Sequence, residues 1–187
     1  NKPRGIVTDG TNLYVTDHDN HMIRKIVISS GVVTTIAGST SSGSTNATGT
    51  SAKFHKPNEI TTDGTNLYVV DTNNHTIRKI VISTGVVTTL AGNPGSTGST
   101  DGTGTAARFH YPRGIVTDGN NLYVSDTNNH AIRKVVISSG AVTTFVGHAG
   151  SNGSTDGTGT SARFKYPRAI TIDGTNLYAA DTDNHKI

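Results

Sequence analysis

Short β-branched apolar runs alternate with clusters of Gly, Asn, Asp and Ser along the whole chain. One stretch shows the pattern. Gly114-Ile115-Val116-Thr117 predicts a strand, and Asp118-Gly119-Asn120-Asn121 a tight turn, since Gly and Asn tolerate positive φ. Leu122-Tyr123-Val124-Ser125-Asp126 predicts a second strand, turned by Thr127-Asn128-Asn129. Ala131 to Ser138 predicts a third, Ser139-Gly140 a turn, and Ala141 to Val146 a fourth. A Gly/Ser/Thr-rich connection, 147–163, follows. Three short turns make an antiparallel meander. Ile77–Ile82 and Ile132–Ile137 are apolar on both faces apart from one Arg-Lys pair. A sheet covered on both sides needs that pattern, whereas a one-sided sheet would alternate cleanly.

The pattern repeats. Asn-Leu-Tyr begins at Asn12, Asn66, Asn121 and Asn176, at intervals of 54, 55 and 55, and Pro3, Pro57, Pro112 and Pro167 keep the same spacing. The chain is expected to form a single segment, 1–187, of units 3–56, 57–111 and 112–166 with a partial unit 167–187. The period exceeds the ~40–45 residues of a WD40 blade and the ~20–29 of a leucine-rich repeat. A β-helix would have shorter, parallel coils. Four antiparallel strands and one long connection per unit predict an all-β propeller.

Composition narrows the classes. Of 187 residues, 32% are hydrophobic and 69 are Gly, Ser or Thr, which excludes a helical bundle. No apolar run approaches the ~18 residues of a membrane-spanning helix. The absence of Cys excludes disulfides, thiolate zinc sites and cysteine nucleophiles. The net charge of +3 is mildly basic.

The turn after the second strand reads Asp17-His18-Asp19-Asn20-His21, Asp71-Thr72-Asn73-Asn74-His75, Asp126-Thr127-Asn128-Asn129-His130 and Asp181-Thr182-Asp183-Asn184-His185. Phe-x-x-Pro-x-x-Ile leads into the units at Phe54, Phe109 and Phe164. Together these motifs resemble the NHL-repeat family of β-propellers along the whole chain. Met22, Thr76, Ala131 or Lys186 stands where that family usually has Leu. The resemblance implies a mostly six-bladed, mostly non-enzymatic fold that binds proteins or RNA, with a minority of lyases and hydrolases. Its long Gly/Ser/Thr connections imply a bacterial extracytoplasmic or surface protein. At ~60° per blade, three and a part units cover little more than half a circle. The ends would then expose blade flanks, which predicts self-association or membership of a longer array.

The candidate chemistry follows the repeat. Asp and His in the turn motif have metal-like spacing, but the motif recurs in every unit. Asp17, Asn20, His21, Asp71, Asn74, His75, Asp126, Asn129, His130, Asp181, Asn184 and His185 are therefore assigned to hairpin stitching, with His donating to an Asp of its own blade. Arg24-Lys25, Arg78-Lys79 and Arg133-Lys134 place one cation on each blade face, one of them paired with the strand-end Asp. The Gly-rich segments at 98–104 and 153–159 match neither a P-loop nor a calcium ladder and are expected to be ordered surface connections.

The residues after the repeat prolines, Arg4, Asn58, Arg113 and Arg168, are expected to ring the mouth of the central channel, because in the family the first strand is innermost. His55 and His110 precede the same prolines and add positive potential, so this rim is the candidate site for a protein or polyanionic ligand, glycans included. The competing assignment for the arginines is salt bridging to strand-end Asp residues. No catalytic residue, metal or cofactor is assigned, since near-identical blades offer no asymmetric constellation. Nucleic-acid binding has a weak signal, with only Tyr111 and Tyr166 placed for base stacking. A lyase or hydrolase with a channel metal is the remaining alternative.

Overall fold

The computed structural model describes residues 1–187. Strands β1 (Pro3–Thr8), β2 (Asn12–Asp17), β3 (Met22–Val27) and β4 (Val33–Gly38) form the first antiparallel sheet in that order. Strands β5 (Pro57–Thr62), β6 (Asn66–Asp71), β7 (Thr76–Val81) and β8 (Val87–Ala91) form the second. A two-residue strand, β9 (Gly102–Thr103), precedes the third sheet of β10 (Ile115–Thr117), β11 (Asn121–Asp126), β12 (Ala131–Val136) and β13 (Ala141–Gly147). The fourth sheet pairs β14 (Pro167–Ile172) with β15 (Leu177–Asp181). This is a propeller arc of four-stranded blades with a two-stranded fourth.

Gly114 precedes β10 rather than starting it, although its carbonyl accepts from Ser125 N. The first strand bulges there in the other blades, where register shifts between Pro3 and Ile6 and between Pro57 and Ile60. The third strand stops at Val136 instead of Ser138, because Val136 O accepts Gly140 N in the turn.

Side chains alternate along β6 and explain the two-sided apolar pattern. Leu67 and Val69 pack toward the first blade with Tyr14, Ile23, Phe54 and Ile60. Tyr68 and Val70 pack toward the third with Ile77, Phe109, Leu122 and Val124. Each fully buried aliphatic side chain is worth about 1.5–3 kcal/mol, so the seams between blades are the core. Around the axis β1 lies against β5, β5 against β10, and β10 against β14. Their backbones come too close for side chains at two points. A Cβ on Gly114 would run into Arg168 O, and one on Gly5 would lie 2.8 Å from Glu59 Cα.

The long connections have a structural role beyond crossing the surface. The first runs along the outer edge of the second blade, with Gly49 N donating to Gly85 O and Val87 N to Ala47 O, both at 2.9 Å. One blade later the contact is a true fifth strand, β9 beside β13. The outermost strands of the second and third blades are thereby covered.

Candidate functional site

The turn motif stitches blades to one another. The buried Asp71 carboxylate accepts from His55 N at 2.7 Å, Asn74 Nδ2 at 2.7 Å and Arg78 Nη1 at 2.9 Å. Arg78 is fully buried, and its other donors reach Lys53 O at 2.9 Å and Asn46 Oδ1 at 2.8 Å in the preceding connection. The Phe54 ring lies 5.1 Å beneath its guanidinium. Asp126, Asn129, Arg133, Asp101 and Phe109 repeat the arrangement. In the first unit Asp17 takes Asn20 and lies 3.6 Å from Arg24, and in the last Asp181 takes Asn184. The Arg-Lys expectation therefore holds for the Arg–Asp pair.

The histidine expectation is corrected. His21, His75, His130 and His185 adopt left-handed backbone (φ 55 to 59°) and do not donate to an Asp. Instead Nδ1 of His21, His75 and His130 accepts the backbone N–H of Lys56, Tyr111 and Tyr166 in the next unit, at 3.1–3.2 Å. The acceptor role requires a neutral ring, and burial lowers the pKa of all three.

The residues following the prolines, the expected mouth positions, converge on one cavity. Arg4, Asn58, Arg113 and Arg168 line a cavity of about 150 Å³ together with Glu59, Gly114 and Ala169. A second cavity of about 220 Å³ shares Arg4, Asn58 and Arg113 and adds His18, Lys56, Asn73 and Tyr111. Salt bridging to strand-end Asp is not observed for these arginines, because Asp71 and Asp126 are taken by Arg78 and Arg133. No carboxylate lies within 4.0 Å of Arg4, Arg113 or Arg168, and the buried Nε of Arg113 has no partner. Burial lowers the pKa of Arg113, and the charges of Arg168 and Arg4 add to the effect.

A profile of the NHL repeat matches residues 109–135. Over the whole chain there is 27% identity to NHL repeat-containing protein 2 of Gallus gallus, of which the chain spans 30%. Residues 109–135 thus carry the NHL-repeat pattern, and the whole chain is similar to a protein named for that repeat. Among solved structures, an auxiliary nutrient binding protein from Bacteroides ovatus superimposes with a TM-score of 0.78 at 23% identity, over 98% of this chain and 46% of that one. A catalytically inactive virginiamycin B lyase from Staphylococcus aureus superimposes with a TM-score of 0.64 at 21% identity, over 97% of this chain and 50% of that one. These likenesses show the propeller fold. The chain spans under a third of the curated relative and about half of these neighbours.

His55 and His110 line neither of these two cavities. They sit in the seams, 5.7 Å from His21 and 6.2 Å from His75 by ring centroid. Lys56 and Tyr111, the residues directly before the prolines, take the place expected for them. His18 occupies the position of Thr72 and Thr127, whose hydroxyls donate to Pro112 O and Pro167 O; its Nδ1 meets Pro57 O at 2.9 Å. Glu59 is the chain's only Glu, and its signal in the sequence is the break of the Arg-Gly pattern in the second unit. Its carboxylate contacts only Ile60 N, at 3.3 Å, and burial raises its pKa. No three His, Asp or Glu side chains stand close enough to share a metal ion, and no helix is long and apolar enough to cross a membrane. The largest depression, about 970 Å³, lies away from the mouth, on the flank between β13 and the two-stranded fourth sheet beside Phe145 and Tyr178.

Proposed function

We propose that this NHL segment is a non-catalytic binding module whose channel mouth takes an anionic ligand. One observation carries the reading: three guanidinium groups from three blades converge on one cavity with no carboxylate partner. Like charges held together in a partly buried site repel, and an anion that accepts from several of them relieves the repulsion. The repeat symmetry also suits a scaffold for protein partners. A surface or extracytoplasmic bacterial setting belongs to the same proposal, supported by the likeness to the auxiliary nutrient binding protein of Bacteroides ovatus.

Calorimetric titration with inorganic pyrophosphate at low ionic strength tests the mouth. Arg113→Glu is expected to weaken binding by at least tenfold, since each 1.4 kcal/mol is about a factor of ten. Lys134→Glu, on the outward part of β12, is expected to leave it unchanged. Equal affinity for the wild type and Arg113→Glu would refute the site.

A further inference from the structure

We propose that the anion taken at the mouth is an acidic sugar, its carboxylate or sulfate held by Arg4, Arg113 and Arg168, its hydroxyls by Glu59 and Asn58, and its ring against Tyr111. The inference rests on the anion-binding reading above and adds the ligand class.

Charge alone does not account for the cavity. Glu59 stands in the same pocket as the three arginines, yet it is not ion-paired to any of them. A carboxylate inside an anion site repels a bare polyanion. It favours a ligand that presents hydrogen-bond donors beside its charge, because an ionised carboxylate can only accept. The Asn58 side chain has no partner in the protein and supplies both a donor and an acceptor. The floor is otherwise bare, formed by Gly114 and Ala169, and Gly5 yields the space that Glu59 Oε1 fills.

Size and shape point the same way. The two adjoining cavities, of about 150 and 220 Å³, share Arg4, Asn58 and Arg113 and leave room for a ligand larger than a single tetrahedral oxyanion. Tyr111 lines the second cavity and is 37% exposed. Its ring is braced edge-on by His75 at 4.6 Å and 89°, and its backbone is tied to His75 Nδ1. A fixed aromatic face carries the negative quadrupole that the C–H groups of a pyranose complement.

The test titrates the 187-residue chain with trigalacturonate, a sulfated heparin disaccharide, neutral maltotriose and inorganic pyrophosphate at one ionic strength. An acidic sugar is expected to bind at least tenfold more tightly than pyrophosphate, and maltotriose is expected not to bind; the tighter of the two acidic sugars identifies the charged group. Glu59→Gln is expected to weaken the acidic sugar by about tenfold, as for loss of a charged hydrogen bond, while leaving pyrophosphate equal or tighter. Tyr111→Ala is expected to weaken the sugar alone, and Tyr111→Phe to restore it, which separates stacking from folding. Pyrophosphate binding as tightly as the sugars, or Glu59→Gln strengthening both alike, would overturn the sugar while leaving the anion site. Failure of all charged probes would overturn both.

Discussion

Asp71 and Arg78 form a fully buried ion pair in which almost every polar atom has a partner, and the same pair recurs as Asp126 and Arg133. Such a pair tolerates loss of one member poorly, since the survivor keeps its desolvation cost without its counter-charge. Asp71→Ala is therefore expected to destabilise the chain by about 3–5 kcal/mol in urea unfolding. A second substitution probes the connection. Arg133 meets the Asp101 carboxylate at 2.7 Å, whereas Arg78 meets the neutral Asn46 amide at 2.8 Å. Asn46→Asp should raise stability slightly, by under about 1 kcal/mol, because Asp101 at the equivalent position is half exposed and screened by solvent.

Between elements, the histidines tie one blade to the next, and this makes the seams sensitive to acid. A protonated ring at His21, His75 or His130 would set N–H against the N–H of Lys56, Tyr111 or Tyr166. The folded pKa values lie below the ordinary 6.5, so below pH 6.5 the unfolded chain binds more protons than the folded one. The stabilisation is complete above 6.5 and is lost as pH falls through the lower folded values. Thermal melts are expected to shift down as pH falls below 6.5, and His75→Asn, which can keep the left-handed backbone, should flatten that slope. Asp71 and Asp126, pushed up to about 6 by burial against the pull of their arginines, act with opposite sign only between about 4 and 6. A slope unchanged in His75→Asn would show that the seam does not titrate. At lower pH the first turns give way. Burial raises the Asp63 carboxyl, but hydrogen bonds from Asn66 and Tyr68 outweigh that and hold it at about 2. Its contribution is present above about 3.8 and is lost as pH falls toward 2.

Across the whole arc, equivalent residues have different surroundings. Ile60 and Ile115 are 3% exposed, while Ile6 at the same repeat position is 58% exposed. Tyr14 and Tyr68 are fully buried, and Tyr178 is 44% exposed. Two apolar flanks are thus left at opposite ends of the arc, one beside Ile6 and one beside Phe145 and Tyr178. Contiguous apolar surface of this kind favours association. The 187-residue chain on its own is expected to sediment as a dimer or larger species at micromolar concentration. A stable 19.5 kDa monomer would contradict this.

The sequence by itself determined the strands, the period and the identity of the seam residues. β-branched runs between Gly and Asn turns have one low-energy arrangement, and repetition multiplied the signal at every unit. It also marked Arg4, Asn58, Arg113 and Arg168 as equivalent positions, each directly after the proline that leads into a first strand. Only the tertiary structure decided what those residues touch. That His75 accepts from Tyr111 rather than donating to Asp71, that Asn46 and Asp101 reach Arg78 and Arg133, and that Glu59 stands unpaired among arginines all depend on side chains from different blades. Repeat spacing specifies a residue's place within its own sheet, whereas partners across a seam are set by the rotation between sheets, which packing of the buried Ile, Val, Leu and Phe side chains imposes.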